Sequence, residues 1–217
     1  MKSVLMIGMG RFGHHLCKNM VALGNEVMII DESEKSIEDL TPIATGALIG
    51  DCKNPEVLKS LGVGNYDICF VCIGSNFQSS LEITSQLKEL GAKYVVSKAS
   101  RDIHAKFLLR NGADEVIYPD RDIAEKTAKK FSSDNVYDYI EVTEDYAVYE
   151  ITPLEGWIGK SIAESNIRPT YHISILGIKH ANGTVSMLPP AKYIITNTDH
   201  LMVIGTEDNI NHLIKKL

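Results

Sequence analysis

The sequence predicts an α/β protein: an N-terminal doubly wound parallel sheet, followed by a smaller α+β domain. Three observations carry this. Short apolar runs alternate with helical patterns from the first residue, which is the signature of strand-helix units building a parallel sheet. A glycine-rich turn, Gly8 to Gly13, stands between the first such run and the first helical pattern. Beyond about residue 133 the alternation changes to period two, with Tyr, Val and Ile prominent.

Taken in order, Ser3 to Ile7 reads as the first strand and Arg11 to Leu23 as the first helix. Strands follow near Glu26 to Ile30, Ala47 to Ile49, Asp67 to Ile73, Tyr94 to Ser97 and Glu115 to Ile117, with helices filling the intervals. The clearest helix is Phe77 to Leu90, where Leu81, Thr84, Ser85, Leu87 and Lys88 recur at helical spacing. Gly91 and Gly112 follow helices as stop signals. Because crossovers between parallel strands share one hand, these units wind into an open twisted sheet with helices on both faces.

A helical stretch from Arg121 to Phe131 leads to the polar link Ser132-Ser133-Asp134-Asn135, so the expected domains are 1–133 and 134–217. In the second, Val136 to Val142 and Ala147 to Ile151 read as strands joined by a turn at Glu144-Asp145. Further strands fit Ile173 to Lys179, Val185 to Leu188 and His200 to Ile204, with a turn at Asn182-Gly183 and a final helix from Glu207 to Leu217.

Composition excludes some classes of function. The net charge of -6 disfavours nucleic acid, whose binding rests on Lys and Arg displacing counterions. No run approaches the roughly 18 apolar residues of a membrane span, and the N-terminus lacks a signal-peptide layout, so a cytosolic, non-spanning protein is expected. Of the four cysteines, only Cys69 and Cys72 form a C-x-x-C. Both lie in one apolar run at an odd separation, which sends their side chains to opposite faces of a strand and makes them small core hydrophobes.

Gly8-Met9-Gly10-Arg11-Phe12-Gly13 is a G-x-G-x-x-G that follows a strand and opens a helix. The first glycine permits the tight turn, the second lets backbone approach a pyrophosphate, and the third lets helix and strand pack closely. Phosphates then sit on unpaired N–H groups at the helix start. Asp31, ending the second strand, supplies the ribose-binding acid expected about twenty residues on. Its neighbours Glu32 and Ser33 offer no Arg for a 2′-phosphate, which disfavours NADP. The pattern is that of a Rossmann-like nucleotide site.

Other candidates end later strands, where ligands of open sheets bind. Asp51, beside Cys52, reads either as an adenine or ribose contact or as a cap ahead of Pro55. Gly74-Ser75-Asn76 is a permissive turn feeding a helix start. Lys98 reads either as a phosphate-facing cation or as solvated surface.

These residues resemble the cytosolic gating subunits of Ktr and Trk potassium uptake systems, built from regulator-of-potassium-conductance (RCK) domains. The resemblance covers nearly the whole chain. It rests on Gly8 to Gly13, Ile73-Gly74-Ser75-Asn76-Phe77-Gln78-Ser79-Ser80, Lys98-Ala99, Gly112-Ala113-Asp114 and Tyr118-Pro119-Asp120-Arg121-Asp122. Ser161 to Glu164, Ile175 to Lys179 and Leu188-Pro189-Pro190 extend it into the second domain. With one copy of each domain, the chain looks like the Ktr form more than the two-unit Trk form.

The resemblance implies a homo-oligomer, with dimers forming an octameric ring docked under a membrane-embedded potassium transporter at the inner face of the plasma membrane. ATP or ADP in the Rossmann cleft would bias the ring between shapes. Arg11 matches an arginine reaching a terminal phosphate across the dimer, Asp31 the ribose acid, Asp51 the adenine end and Lys98 a lysine near the nucleotide. Asp120 lies where the family has an acid that helps hold a divalent cation, for which Mg²⁺ or Ca²⁺ suits all-oxygen ligands; the competing reading is a helix cap before Ile123. Asn166, Ile167, Arg168, Ile175 and Pro190 match positions at which related proteins hold cyclic di-AMP between two copies, or else they pack a dimer.

The rival reading is an NAD-dependent oxidoreductase using NAD or NADH, since the glycine motif serves both. It needs an acid-base group beside the nicotinamide. His172, His180, His200 and His212 show neither metal-type spacing nor an evident partner in the sequence, and His14 and His15 stand on the motif helix without an assigned chemistry. A non-enzymatic binding module is therefore the expectation, and a ligand-free adaptor would leave the glycines and Asp31 without a purpose.

Overall fold

The computed structural model describes residues 1–131, 135–143 and 145–215, so most of the link after Phe131 and part of the Glu144-Asp145 turn lie outside the described residues. Two packed units emerge, Met1–Arg121 and Asp122–Leu217.

The first unit runs β1 (Ser3–Ile7), α1 (Arg11–Ala22), β2 (Glu26–Asp31), α2 (Glu34–Ile37), β3 (Gly46–Ile49), α3 (Pro55–Ser60), β4 (Ile68–Val71), α4 (Phe77–Glu89), β5 (Val95–Lys98), α5 (Asp102–Arg110) and β6 (Glu115–Ile117). The six strands are parallel in the order β3-β2-β1-β4-β5-β6. The direction of winding reverses between β1 and β4, so a crevice opens above their carboxyl ends. Successive residues of β1 enter different cores: Val4 and Met6 pack with Val27, Ile29 and Cys17, whereas Leu5 and Ile7 pack with Ile30, Val71, Ile83 and Leu87. Burial on both faces explains why these strands read as continuous apolar runs.

The cysteines follow the same logic. Cys69 lies in one core and Cys72 in the other, as their odd separation requires, and all four thiols are free and buried. Burial pushes the Cys52, Cys69 and Cys72 thiols up to about 12, which makes them inert packing groups. β4 ends at Val71, two residues before its expected limit. There the chain turns over the crevice, with Cys72 N–H still held by Ile7 O (2.8 Å).

The boundary between the units falls within α6 (Pro119–Phe131), whose residues from Asp122 onward belong to the second. The second unit contains β7 (Val136–Glu141), β8 (Tyr146–Ile151), α7 (Ile167–Tyr171), β9 (Ser174–Lys179), β10 (Val185–Met187), β11 (His200–Thr206) and α8 (Glu207–Ile214). Its antiparallel sheet has the order β10-β9-β11-β8-β7. Tyr149 and Ile151 from β8 and Leu201 and Val203 from β11 pack against Ile210 and Leu213 of α8, and Trp157 joins the same core. Helix α7 has no apolar periodicity by which to foresee it. It is one short turn between two left-handed residues, Asn166 (φ 48) and His172 (φ 55), with Pro169 in its first turn, where proline is tolerated.

Asp199 is the electrostatic anchor of this unit. Its side chain is 3% exposed. It accepts hydrogen bonds from Tyr193 OH (2.9 Å), the Thr196 N–H (2.8 Å) and His180 Nδ1 (3.2 Å). Burial opposes its ionisation, but the Thr196, Tyr193 and His180 donors outweigh that and hold its pKa below the usual carboxylate value. The stabilisation is therefore present above the unfolded carboxylate pKa and is lost as pH falls through the lower folded value. Asp199→Ala takes the acceptor from Tyr193 OH, the Thr196 N–H and His180 Nδ1, and we expect a loss of about 3 kcal/mol in denaturant unfolding monitored at neutral pH.

Candidate nucleotide site

The loop from Gly8 to Gly13 is shaped by three different steric demands. Gly8 has φ +89, and a Cβ on it would lie 2.8 Å from Ile73 Cγ1. Gly13 is buried in α1 against Gly8 O, only 2.2 Å from where its Cβ would stand. Gly10, the N-cap of α1, would direct a Cβ into open space. The first and third glycines are thus demanded by the fold, and the second keeps a surface bare.

That bare surface borders a cleft of about 340 Å³ lined by Gly8, Gly10, Asp31, Gly50, Asp51, Cys52, Lys53, Gly74, Ser75, Asn76 and Ser79, among others. Its size suits a nucleotide-sized ligand. Asp31 is built into the glycine loop: Oδ2 accepts the Met9 N–H at 2.7 Å and Oδ1 accepts the Ser33 N–H at 2.9 Å. Two backbone donors fix the carboxylate with remaining acceptor capacity for a diol.

Across the cleft, Asn76 caps α4 by accepting the Ser79 N–H at 3.0 Å, so a second helix begins at the cavity wall. Asp51 is not the cap ahead of Pro55. Asn54 takes that role by accepting the Glu56 N–H (3.1 Å), which leaves Asp51 to hold the Lys53 N–H (2.9 Å) in a tight turn.

The family models for the TrkA-N and TrkA-C domains match residues 4–119 and 146–217 respectively. The chain belongs to the TrkA-domain family. Ktr system potassium uptake protein C of Bacillus subtilis (strain 168) is 38% identical over 216 residues, spanning 100% of this chain and 97% of that protein. Ktr system potassium uptake protein A of the same strain is 35% identical over 209 residues, 96% of this chain and 94% of that one. Among solved structures, the GsuK channel bound to NAD superposes with TM-score 0.69 at 16% identity, over 99% of this chain and 39% of the channel chain. GsuK bound to ADP gives TM-score 0.53 at 12% identity, over 62% of this chain and 36% of that one. At such identities the structures share the fold.

Within this TrkA-domain chain, the remaining candidates take distinct places. Met9 is buried in the core beneath the loop. Arg11 is exposed at the first turn of α1 and does not line the cleft. Lys98 does not line the cleft; its Nζ is 5.6 Å from the centre of the Phe12 ring and 3.0 Å from where a Gly74 Cβ would lie. Asp120 is exposed in the first turn of α6, and the described residues contain no cluster of three or more metal-type side chains. Lys53 is a cleft residue without a recognisable sequence signal, and Ser33 and Ser79, though they stand beside Asp31 and within the 73–80 stretch, are not among the expected site residues: all three reach the cavity from turns and a helix end whose path the glycine motif does not encode.

In the second TrkA unit, Asn166, Ile167, Arg168 and Ile175 line another cavity of about 340 Å³ with Ile162, Ala163, Pro169, Ser174 and Pro189. Pro189 takes the place expected of Pro190 there. Two of this unit's histidines, His180 and His200, do have partners. His200 Nδ1 meets Glu150 Oε1 at 2.7 Å, and its ring stacks on Tyr137 with centroids 3.9 Å apart. His180 joins Asp199 to the Ser186 hydroxyl (2.9 Å). This Ser186–His180–Asp199 order has the connectivity of a nucleophile, base and acid, but none of the three lines either cavity. Asp199 is also committed to Tyr193 and Thr196, so the array serves to tie β10 to the segment before β11.

Proposed function

We propose that the chain is a nucleotide-sensing regulatory subunit of a membrane-embedded potassium transporter, and not an enzyme. The observation that carries the reading is the cleft itself: an uncrowded Gly10 and a backbone-fixed Asp31 at the switch point of a parallel sheet. Full-length similarity to Ktr potassium uptake proteins supports the transporter as partner. Among the described residues no helix is long and apolar enough to cross a membrane, which suits a peripheral subunit at the inner face.

ATP or ADP is the proposed occupant, with NAD or NADH as the competing ligands. Dimers assembling into an octameric ring would respond to it by population shift, so the two nucleotides must differ in affinity for two ring shapes. Arg11 supplies the difference by meeting a terminal phosphate held by another copy, which its exposure outside its own cleft permits. Such charge-assisted bonds contribute roughly 1.5–3 kcal/mol, so Arg11→Ala is expected to keep ADP affinity while cutting ATP affinity on the order of tenfold or more. Calorimetry showing an unchanged ATP-to-ADP ratio would rule Arg11 out.

The same proposal places Mg²⁺ or Ca²⁺ at Asp120 on a nucleotide-bearing dimer interface and cyclic di-AMP at the Arg168 cavity. It also takes 1–133 and 134–217 as the domain limits. Thermal-shift titration with ATP, ADP, NAD, NADH and cyclic di-AMP, followed by mass measurement in solution, tests it. Stabilisation of a large oligomer by ATP or ADP supports the regulatory subunit. Stabilisation by NADH alone, with turnover of a carbonyl substrate, would establish the oxidoreductase instead.

A further inference from the structure

We propose that His104 is a positioning residue for the nucleotide cleft, setting the first turn of α4 from its place on α5. The inference rests on reading the cleft as an adenosine-phosphate site. His104 is fully buried, and its hydrogen bonds fix both its tautomer and its charge. The Ser80 hydroxyl donates to Phe77 O at 2.9 Å, so at 2.7 Å from His104 Nε2 its oxygen can only accept. The Ser100 N–H points at Nδ1 (3.3 Å), which must then be the acceptor. The ring is therefore neutral, with its proton on Nε2.

The contacts lead straight to the cavity wall. Phe77, the first residue of α4, packs on His104 with ring centroids 4.8 Å apart. It stands between Asn76 and the Gln78-Ser79 step, and both Asn76 and Ser79 line the cleft. Beneath them Thr84 Oγ1 donates to Ser80 O (2.7 Å) and meets Ser97 Oγ (2.8 Å), so α4 is tied to β5 by the same buried network. The neighbours of the ring are thus Phe77 and Ser80 from α4, and Ser100 and Arg101 ahead of α5. Arg101 is the charged group acting on it, and burial together with that guanidinium holds the imidazole pKa below its ordinary value.

Adding a proton at Nδ1 turns an acceptor into a donor facing the Ser100 N–H. The ring must then move, and Phe77 and Ser80 move with it. ADP affinity of the wild-type protein is accordingly expected to hold at neutral pH and to fall only in acid, below the ordinary imidazole range.

Calorimetric titration with ADP from about pH 5.5 to 8 tests this on wild type, His104→Ala, His104→Gln and Ser80→Ala. His104→Ala should weaken ADP binding roughly tenfold at neutral pH and flatten the acid limb. His104→Gln, whose amide can still donate to Ser80, should recover most of the affinity while remaining flat. Ser80→Ala removes the same bond from the α4 side and gives the answer even where His104→Ala does not fold. If the alanine variants bind ADP like wild type with the same pH profile, His104 plays no positioning role. If wild type itself binds no ADP at any pH, it is the reading of the cleft that fails, and the His104 proposal is withdrawn with it.

Discussion

Replacing Gly10 by alanine is expected to leave the melting temperature of the free protein unchanged while weakening ADP binding roughly 100-fold, about 2.7 kcal/mol. The separation of the two effects follows from geometry. Gly10 has φ -64, which alanine adopts without strain, and its Cβ would touch nothing within 4 Å in the free protein. The added methyl therefore costs the fold nothing, yet it occupies the surface where a pyrophosphate would lie against the backbone. Calorimetry beside a thermal melt checks both halves. A variant that binds ADP normally would show that no phosphate approaches this loop.

Gly13→Ala should do the opposite and damage the fold first. Its Cβ would stand 2.2 Å from Gly8 O and 3.2 Å from Cys72 Cβ, and the first of these is backbone that cannot swing aside. Either α1 lifts from the sheet or the Gly8 turn, already at φ +89, deforms. Overpacking of this kind costs about 3 kcal/mol, which lowers the melting temperature by roughly 10 °C for a unit of this size. Nucleotide binding should fall as a consequence. A Gly13→Ala protein as stable as wild type would mean that the close helix-strand approach does not exist in solution.

The contrast between these glycines shows what the amino-acid sequence can disclose. The parallel sheet was legible because both of its faces are buried, which leaves uninterrupted apolar runs between helical patterns. The glycine loop was legible because glycine spacing encodes backbone geometry directly. Asp31 was legible because it closes a strand at a fixed distance from that loop, and its bond to the Met9 N–H now gives the spacing a physical cause.

What stayed hidden depends on contacts between distant segments. Lys53 and Ser79 reach the cleft from a tight turn and a helix start, and no local pattern announces that they converge. The partners of His180 and His200 are separated from them by 19 and 50 residues and meet only when the antiparallel sheet forms. Helix α7 has neither the length nor the apolar stripe to declare itself, and is held by left-handed residues that are not glycine. The buried position of His104 follows from helices packing on one another, which the sequence around it does not specify.

The most direct measurement is a crystal structure of the protein grown with ADP. Density for the diphosphate over the Gly8–Gly13 loop, with the ribose hydroxyls on Asp31 and the base toward Asp51, is the predicted result. ADP density elsewhere, or an unliganded cleft at a saturating concentration, would contradict the account.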